Sequence, residues 1–452
     1  MSVVRFRRLI VSHATAPGRF FRWLNPARAH CMRWALIVTG VTLLMGSVSI
    51  GAREIWDRNW IEVRTENFIV VSAIGQRSTV ALAQRLESFR TLVMLLSSPE
   101  RVDRMPIQVY LFHRPVPEIA LTRDLGGYYL PAAPSDIIVL RRGGNIAEWI
   151  RHEYVHSLIR DRDTRAYPSW FDEGIAGMLS TMELQESSFS VGKPPRYALR
   201  RLSDLPWLDF SKILALRDPR ELNGAQRSMF YYQSWLLLHY LNWGRTDRDF
   251  GRDANEYLRR LGAGEAFDVA FTDSFALDIA SVKPTLLEYR RKVPYLHGEL
   301  ENRYQAPEFT LRQMRPDEVA TGIGEIFLGR GELANARQYF EGALTLSRSN
   351  TSAKIGIAEV LGREGAHEEA LEWWRAAAEQ GQELAQFNLS LVYRNGVGVE
   401  RDYHEAYAWA RAAAVQGVDE AREHQQYILG QIADLEAASA LAQEYVEKYV
   451  PR

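Results

Sequence analysis

The stretch RHEYVHSL, residues 151–158, decides how this chain is interpreted, because it predicts a helix with two histidines four residues apart. On a helix that spacing puts His152 and His156 on one face, where both imidazoles reach a single ion, and Glu153 lies beside them. Zinc in a hydrolase takes three protein ligands and one water. The stretch therefore supplies two ligands and predicts a third one elsewhere in the chain.

The stretch WFDEGIA, residues 170–176, supplies the best candidate for the third ligand. Glu173 lies seventeen residues after His156, which lets the chain leave one helix, turn and enter a second helix. Pro168 suits the first turn of that second helix, and Gly174 suits a close approach of two helices. We therefore expect a Zn2+ site with the ligands His152, His156 and Glu173. The alternative is an amphipathic helix with two ordinary polar histidines.

These two stretches resemble the gluzincins of the peptidase MA type, in which HExxH is followed by a helix of pattern W-x-x-E-G-[IL]-A. The resemblance is carried by His152, Glu153, His156, Trp170, Glu173, Gly174 and Ala176. It extends weakly over residues 60 to 300 and implies an α+β zincin-like catalytic domain. It also implies zinc-dependent hydrolysis of peptide bonds, with Glu153 as the general base.

Residues 229–243, MFYYQSWLLLHYLNW, predict a strongly apolar helix that lies mostly in the core. A tyrosine hydroxyl near its start is expected to stabilise the oxyanion that forms during hydrolysis. Tyr231 is the first choice because it opens the Y-Y-Q-S run of the resembled pattern. Tyr232 is the second choice, and packing alone is the alternative for both. His239 is interpreted as structural.

Residues 137–140, IIVL, predict a short strand just before the metal helix. If the resemblance holds, this strand is the sheet edge that lines the cleft, where an extended peptide pairs its backbone groups. The candidate substrate contacts are Tyr128, Tyr129, Ile138 and Val139. The alternative is an internal strand with buried tyrosines. Residues 60–73 and 106–112 predict two further strands, and residues 78–96 predict a helix between them.

The N-terminus is basic and is followed by an apolar segment. Residues 1–53 contain eight arginines and no acidic residue, so the rest of the chain has 47 basic and 56 acidic residues, a net charge of −9. That balance argues against nucleic-acid binding by the globular part. Residues 34–52 are uncharged and nearly long enough to span a bilayer. Because seven arginines precede them, we expect a cytoplasmic N-terminus and an extracytoplasmic remainder.

The segment at 34–52 predicts a single-pass anchor in a bacterial inner membrane, with the catalytic domain in the periplasm or outside the cell. A cleaved signal peptide and a secreted product is the alternative, because small residues follow the apolar run. The single cysteine, Cys31, precedes this segment. The exported part therefore has neither disulfides nor thiolate ligands, and histidine and carboxylate must hold any metal.

Residues 318–452 have a different sequence pattern from the preceding residues, and this pattern predicts an all-α repeat solenoid. A set of small and aromatic residues recurs after thirty-four residues, the tetratricopeptide period, and residues 385–417 resemble a Sel1-like repeat. Stacked helix pairs of this kind mostly bind proteins. The predicted organisation is a basic N-terminus at 1–33, a membrane segment at 34–52, a metallopeptidase-like domain at 53–303, a linker at 304–317 and repeats at 318–452.

The sequence therefore predicts a membrane-anchored zinc endopeptidase that acts outside the cytoplasm and recruits protein substrates or partners through its repeats. One alternative is a catalytically inactive, membrane-anchored adaptor that binds proteins through the repeats. A second is zinc-dependent hydrolysis of something other than a peptide, since fold and metal do not fix the substrate.

Overall fold

The computed structural model describes residues 58–97, 106–113, 119, 127–131, 135–142, 146–162, 167–300 and 304–451. The predicted basic N-terminus at 1–33 and the predicted membrane segment at 34–52 lie outside these ranges. Within them, no helix combines the length and the apolar character needed to cross a membrane. The chain is mostly helical, with a sheet region in its N-terminal half and helical repeats at its C-terminus.

A sheet with six strands in the described part of the chain supports the site. Its strands are β1 (Ile61–Arg64), β2 (Phe68–Ser72), β3 (Ile107–Phe112), β4 (Gly127–Leu130), β5 (Ile137–Arg141) and β9 (Thr310–Gln313), in the order β4-β5-β3-β2-β1-β9. Strands β2, β3 and β5 run parallel to one another. Strand β4 is antiparallel to β5, β1 is antiparallel to β2, and β9 is antiparallel to β1. A second, smaller sheet contains β6 (Glu183–Leu184), β7 (Ser188–Val191) and β8 (Leu296–Glu299).

Three features of the large sheet differ from the sequence predictions. The single strand expected at 60–73 is an antiparallel hairpin, because the polar turn around Asn67 interrupts it. The strand at 137–140 is internal and β4 is the edge, so the predicted position of the edge was wrong. The segment expected to be a linker, 304–317, contains strand β9, which pairs with β1.

Both faces of the large sheet are buried, which explains the nearly continuous apolar runs of its inner strands. Alternate residues of β5 point to opposite faces. Ile138 and Leu140 pack with the helices of the candidate site, whereas Ile137 and Val139 pack with the repeat helices. The sheet is therefore a wall between the candidate site and the repeats.

Helices cover the site face of the sheet and continue to the repeats. The first group is α1 (Gln76–Ser97), α2 (Ile146–Arg162), α3 (Ser169–Leu179), α4 (Ala198–Asp204), α5 (Phe210–Ala215), α6 (Gly224–His239), α7 (Phe250–Gly262), α8 (Phe267–Phe275) and α9 (Ile279–Tyr289). A π-helical turn, Tyr240–Gly244, extends α6. The predicted helix at 229–243 is thus confirmed, although it begins five residues earlier, where Asn223 forms a capping box with Gln226.

The C-terminal repeats are pairs of helices. They are α10 (Pro316–Gly329) with α11 (Leu333–Leu346), α12 (Thr351–Glu364) with α13 (His367–Ala378), and α14 (Glu383–Asn395) with α15 (Tyr403–Val415), followed by α16 (Asp419–Leu429) and α17 (Leu435–Tyr449). Helix α10 shares one buried core with the second face of the sheet, through Val319, Ile323 and Phe327. The repeats therefore begin directly on the sheet.

The close approach of two helices that the sequence predicts at Gly174 is present, and the structure shows that the two helices are α3 and α6. A Cβ atom there would lie 2.8 Å from the backbone oxygen of Ser234 and 3.0 Å from Cβ of Leu238. We expect Gly174→Ala to lower the free energy of unfolding by about 1–3 kcal/mol, because backbone cannot move aside as a side chain can. Chemical denaturation measures the change. Gly224→Ala, where a Cβ would meet nothing within 4 Å, is the control, and equal effects would contradict the prediction.

Two half-buried glutamates, Glu325 on α10 and Glu359 on α12, lie at equivalent positions of successive repeats. Burial raises the pKa of each carboxyl to about 7, and the charge of Glu359 adds to the rise at Glu325. An acid whose pKa is higher in the folded state is stabilised in its protonated form. Stability from these groups is therefore present below the ordinary pKa and is lost as pH rises through about 7.

We expect Glu359→Gln to raise the melting temperature at pH 8 and to change it much less at pH 5, because the amide stays neutral at both. Thermal unfolding at the two pH values measures this. Glu369→Gln, on the exposed side of α13, is the control. A destabilised Glu359→Gln protein at pH 8 would contradict the prediction.

Candidate metal centre

Helix α2 places the two histidines of the HExxH stretch side by side. Tyr154 and Val155 are fully buried and anchor the helix in the core, so His152 and His156 lie on the opposite side of the helix. The Nε2 atoms of His152 and His156 lie 3.3 Å apart, and their ring centroids are 4.9 Å apart. The predicted shared face is therefore present, with both Nε2 atoms at one point.

Helix α3 brings the predicted third ligand to the same point. Trp170 and Phe171 pack into the core and fix the rotation of the helix. Oε2 of Glu173 then lies 3.0 Å from Nε2 of His152 and 3.7 Å from Nε2 of His156. Among the described residues, these three side chains form the one group of three or more metal-ligating side chains whose ligand atoms all lie within 4.8 Å of each other.

The donor set fits a zinc ion in both chemistry and size. Two imidazole nitrogens and a carboxylate oxygen form the His2Glu set of several zinc hydrolases. Bonds of about 2.0–2.1 Å in a tetrahedral site place ligand atoms about 3.3–3.4 Å apart. The three separations between Nε2 of His152, Nε2 of His156 and Oε2 of Glu173 are 3.0, 3.3 and 3.7 Å, and they bracket that value.

Asp172 orients one of the two imidazoles. Its Oδ1 lies 3.2 Å from Nδ1 of His156. When Nδ1 carries the proton and donates to Asp172, Nε2 is unprotonated and available to a metal. A carboxylate in this position also makes the imidazole a stronger ligand. Asp172 is therefore the partner that the sequence analysis did not identify.

We expect Asp172→Ala to weaken zinc binding by about 10–100-fold, because His156 loses the acceptor that fixes its tautomer and ring orientation. Asp172→Asn should lose less, because an amide oxygen still accepts the Nδ1 proton. Titration of zinc against a chelator of known affinity measures both variants. Unchanged zinc affinity in Asp172→Ala would contradict the assigned role.

The electrostatics of the cluster favour a cation between the donor atoms. Burial alone would raise the pKa of Glu173, but His156 and His152 outweigh it and hold the pKa well below its ordinary value. Burial alone would lower the pKa of His156, but Glu173 and Asp172 raise it well above its ordinary value. The carboxylates thus attract positive charge to this point, and a metal would compete with protons for it.

Glu153 lies next to the donor triangle and is held from the edge strand. Burial raises the pKa of its carboxyl, and the nearby His152 and His156 oppose the rise. The backbone N–H of Tyr129 on β4 donates a hydrogen bond to the Glu153 carboxylate. A carboxyl with a raised pKa holds a proton more readily than an ordinary carboxylate, which suits a group that accepts and returns a proton beside the candidate metal site.

The two candidate tyrosines, Tyr231 and Tyr232, have different neighbours in the structure. Tyr231 lies with its ring centroid 6.4 Å from that of His152, whereas Tyr232 interacts with Glu148 and Arg201. Burial, followed by the charges of Glu173 and Glu153, raises the pKa of Tyr231. Its hydroxyl therefore stays protonated and able to donate. His239 is fully buried and contacts the hydroxyl of Tyr289 and the carbonyl of Gly192, in keeping with a structural role.

The predicted substrate contacts divide into two groups. Ile138 and Val139 are completely buried in the internal strand β5 and cannot touch a substrate, so this part of the prediction was wrong. Tyr128 and Tyr129 are half-buried on the edge strand β4. Their hydroxyls are already bonded within the protein, to the carbonyl of Ile119 and to Asp136 respectively. Among the described strands, β4 pairs with β5 alone, so its backbone, rather than its side chains, is the part suited to a peptide.

A signal for Asp172 was present in the sequence, because it is an acidic residue directly before the candidate ligand Glu173. The N–H of Tyr129 that donates to Glu153 had no such signal in the sequence. It is a backbone group, and its position beside Glu153 depends on β4 being the edge strand.

The comparisons with known proteins bear on the repeats. A model of the Sel1 repeat matches residues 362–382 and 384–418, which confirms the predicted Sel1-like unit. Repeats of this kind generally mediate protein–protein interactions. The chain is also similar to the crystal structure of a protective antigen present in uropathogenic Escherichia coli strains that displays an SLR fold.

That similarity has 20% sequence identity and a TM-score of 0.28, and it covers 50% of this chain and 51% of the antigen chain. The chain thus spans about half the length of that structure. A search of curated proteins gives no match.

Proposed function

We propose that the chain is a zinc-dependent hydrolase of peptide bonds whose repeats bind protein substrates or partners. One observation carries the catalytic part: the donor atoms of His152, His156 and Glu173 lie 3.0–3.7 Å apart, with Glu153 beside them. The matched Sel1 repeats support the binding part.

His152, His156 and Glu173 would hold the ion, and Asp172 would keep His156 in the correct tautomer. Zinc in such a site supplies a water with a pKa near neutrality and polarises a carbonyl. Glu153 accepts a proton from the attacking water and gives it to the leaving amine, so that each turnover returns the carboxylate to its starting state.

Tyr231 is suited to donate its hydroxyl proton in a hydrogen bond to the oxyanion, because its pKa is raised and its ring lies beside His152. Strand β4, which pairs with β5 alone among the described strands, is suited to add an extended peptide along its other side, since it lies next to Glu153. These two groups would orient the scissile bond.

We further propose an extracytoplasmic location, with residues 34–52 as an anchor in a bacterial inner membrane and residues 1–33 in the cytoplasm. This part rests on the sequence alone, on seven arginines before an uncharged apolar segment. The secreted form remains the alternative, and a chain shortened to start near residue 50 would support it.

The test uses the full chain and fluorescein-labelled casein as the probe. We expect cleavage that stops when a chelator removes the metal and returns when about one equivalent of zinc is added back. The control is the same cycle with His152→Ala. Cleavage that continues in the metal-free protein would contradict the proposal.

The second candidate is an adaptor without catalysis, which the Sel1 match favours because it covers the repeats alone. In that case the metal-free and the zinc-loaded full chain would bind the same proteins equally well, and neither would cleave them. A bound protein that is cut only when zinc is present would decide for the hydrolase.

A further inference from the structure

The edge strand β4 lies between the repeats and Glu153. Successive side chains of a strand point to opposite faces. Tyr128 points to the face that packs with the repeats, and Tyr129 to the face that packs with α2. One strand of four residues therefore contacts the repeats on one side and the candidate site on the other.

On the repeat side, Arg330 at the end of α10 holds β4. Its guanidinium lies 5.5 Å from the ring centroid of Tyr128. Both residues donate to the same acceptor, the carbonyl oxygen of Ile119, from Tyr128 Oη at 2.6 Å and from Arg330 Nη1 at 3.1 Å. Leu130 at the end of the strand packs beside Gly329. Glu332 holds the guanidinium from its other side.

On the site side, Tyr129 holds helix α2 in two ways. Its backbone N–H donates to Glu153. Its hydroxyl donates to Oδ2 of Asp136 at 2.8 Å, and Ser157 on α2 donates to the same oxygen at 3.0 Å. A displacement of β4 would therefore move the donor to Glu153 and a contact of the metal helix together.

The register shows why the backbone of β4 matters. Tyr129 pairs with Ile138 in an antiparallel ladder, where the N–H groups of alternate residues point toward the partner strand and away from it. Since the N–H of Tyr129 donates to Glu153, it points away from β5. The same side of β4 is the one that a peptide would use in the proposed function.

We propose that Arg330 and Tyr128 are positioning residues, through which the first repeat sets the place of β4 and hence of Glu153 and of the peptide-binding edge. This inference rests on the proposed function. Arg330 touches no reacting atom and acts through the strand. A protein bound to the repeats that moves α10 would change the activity of the site by this route.

The first test does not need catalysis. Hydrogen exchange of the full chain, followed by mass spectrometry, reports on the amides of residues 127–131. We expect Arg330→Ala to speed exchange there by about tenfold or more, and Arg330→Lys to restore part of the protection. Arg337→Ala is the matched control, because Arg337 pairs with Glu364 within the repeats. Equal exchange of 127–131 in Arg330→Ala and Arg337→Ala would overturn the inference.

A general loosening of the repeats would also speed exchange in α10 and α11, so those helices must keep their protection in Arg330→Ala. Glu153→Ala should speed exchange in β4 as well, because Tyr129 loses its acceptor. Normal protection of β4 in that variant would contradict the link to Glu153.

The second test uses hydrolysis of labelled casein. Arg330→Ala should bind zinc as tightly as the wild type and lose about tenfold in kcat/KM, with both kcat and KM affected. Tyr128→Phe should lose less. The double variant should lose less than the product of the two single losses, because the residues share one acceptor.

A loss of kcat/KM in the double variant equal to the product of the two single losses would overturn the inference that Arg330 and Tyr128 act together through β4. If the wild type cleaves nothing, the proposed function fails, while the exchange result still decides whether the repeats hold β4.

Discussion

Glu153→Gln is expected to bind zinc as the wild type does and to lose peptide-bond hydrolysis by about a hundredfold to ten-thousandfold. Glutamine has the shape of glutamate, and its amide oxygen can still accept the N–H of Tyr129, so the fold of the site should not change. It cannot take up the proton of the attacking water. The measurements are zinc content and the rate of casein cleavage in the same preparation.

His152→Ala is the companion variant, because it should lose both the zinc and the activity. Comparison of the two variants distinguishes a general base, whose loss leaves zinc bound, from a metal ligand, whose loss removes it. Hydrolysis that persists in Glu153→Gln after removal of the metal would exclude the mechanism, and loss of zinc in Glu153→Gln would show that Glu153 is a ligand.

The second large effect is expected at Glu173. Its carboxylate is the one acidic member of the donor triangle, and it lies on α3 rather than on α2. Glu173→Ala should lower the affinity for zinc by about a hundredfold or more, because two imidazoles alone leave the site with half of its tetrahedral ligands. Glu173→Gln keeps an oxygen without the charge and should lie between Ala and the wild type.

Zinc titration and thermal unfolding measure the Glu173 series together. A ligand that binds only the folded state raises the melting temperature, so added zinc should stabilise the wild type and leave Glu173→Ala unchanged. The same rise in melting temperature for Glu173→Ala as for the wild type would show that zinc binds elsewhere.

The sequence allowed the three candidate ligands to be predicted because the information was local. The spacing of His152 and His156 fixes their shared face on any helix, and the Gly174 that follows Glu173 indicated a close contact between two helices. Helix α3 begins at Ser169, directly after the Pro168 that the sequence associates with its first turn.

The order of the strands was not local information. Apolar residues 137–140 suit an edge strand of a half-covered sheet and an internal strand equally well. The choice depends on β4, whose short sequence GYYL carries little signal, and on α10, which covers the second face of the sheet from 180 residues further along the chain. Strand β9 was not predicted for a similar reason. It lies in a polar segment that resembles a linker, and it pairs with β1, which is distant in the sequence.

Asp172 and Arg330 illustrate the difference between local sequence information and contacts between residues that are distant in the sequence. Asp172 is adjacent to a ligand in the sequence, so a search for acceptors near the ligands would have found it. Arg330 acts on β4 across about 200 residues of chain, at the carbonyl of Ile119, and only the packed structure brings them together.

The zinc content of the purified full chain tests the proposed metal site itself. It is measured beside that of His156→Ala, after both proteins have been incubated with zinc at neutral pH and freed of excess metal. We expect about one zinc per chain in the wild type and none in the variant. Absence of zinc from both, or equal zinc in both, would contradict the proposed metal site.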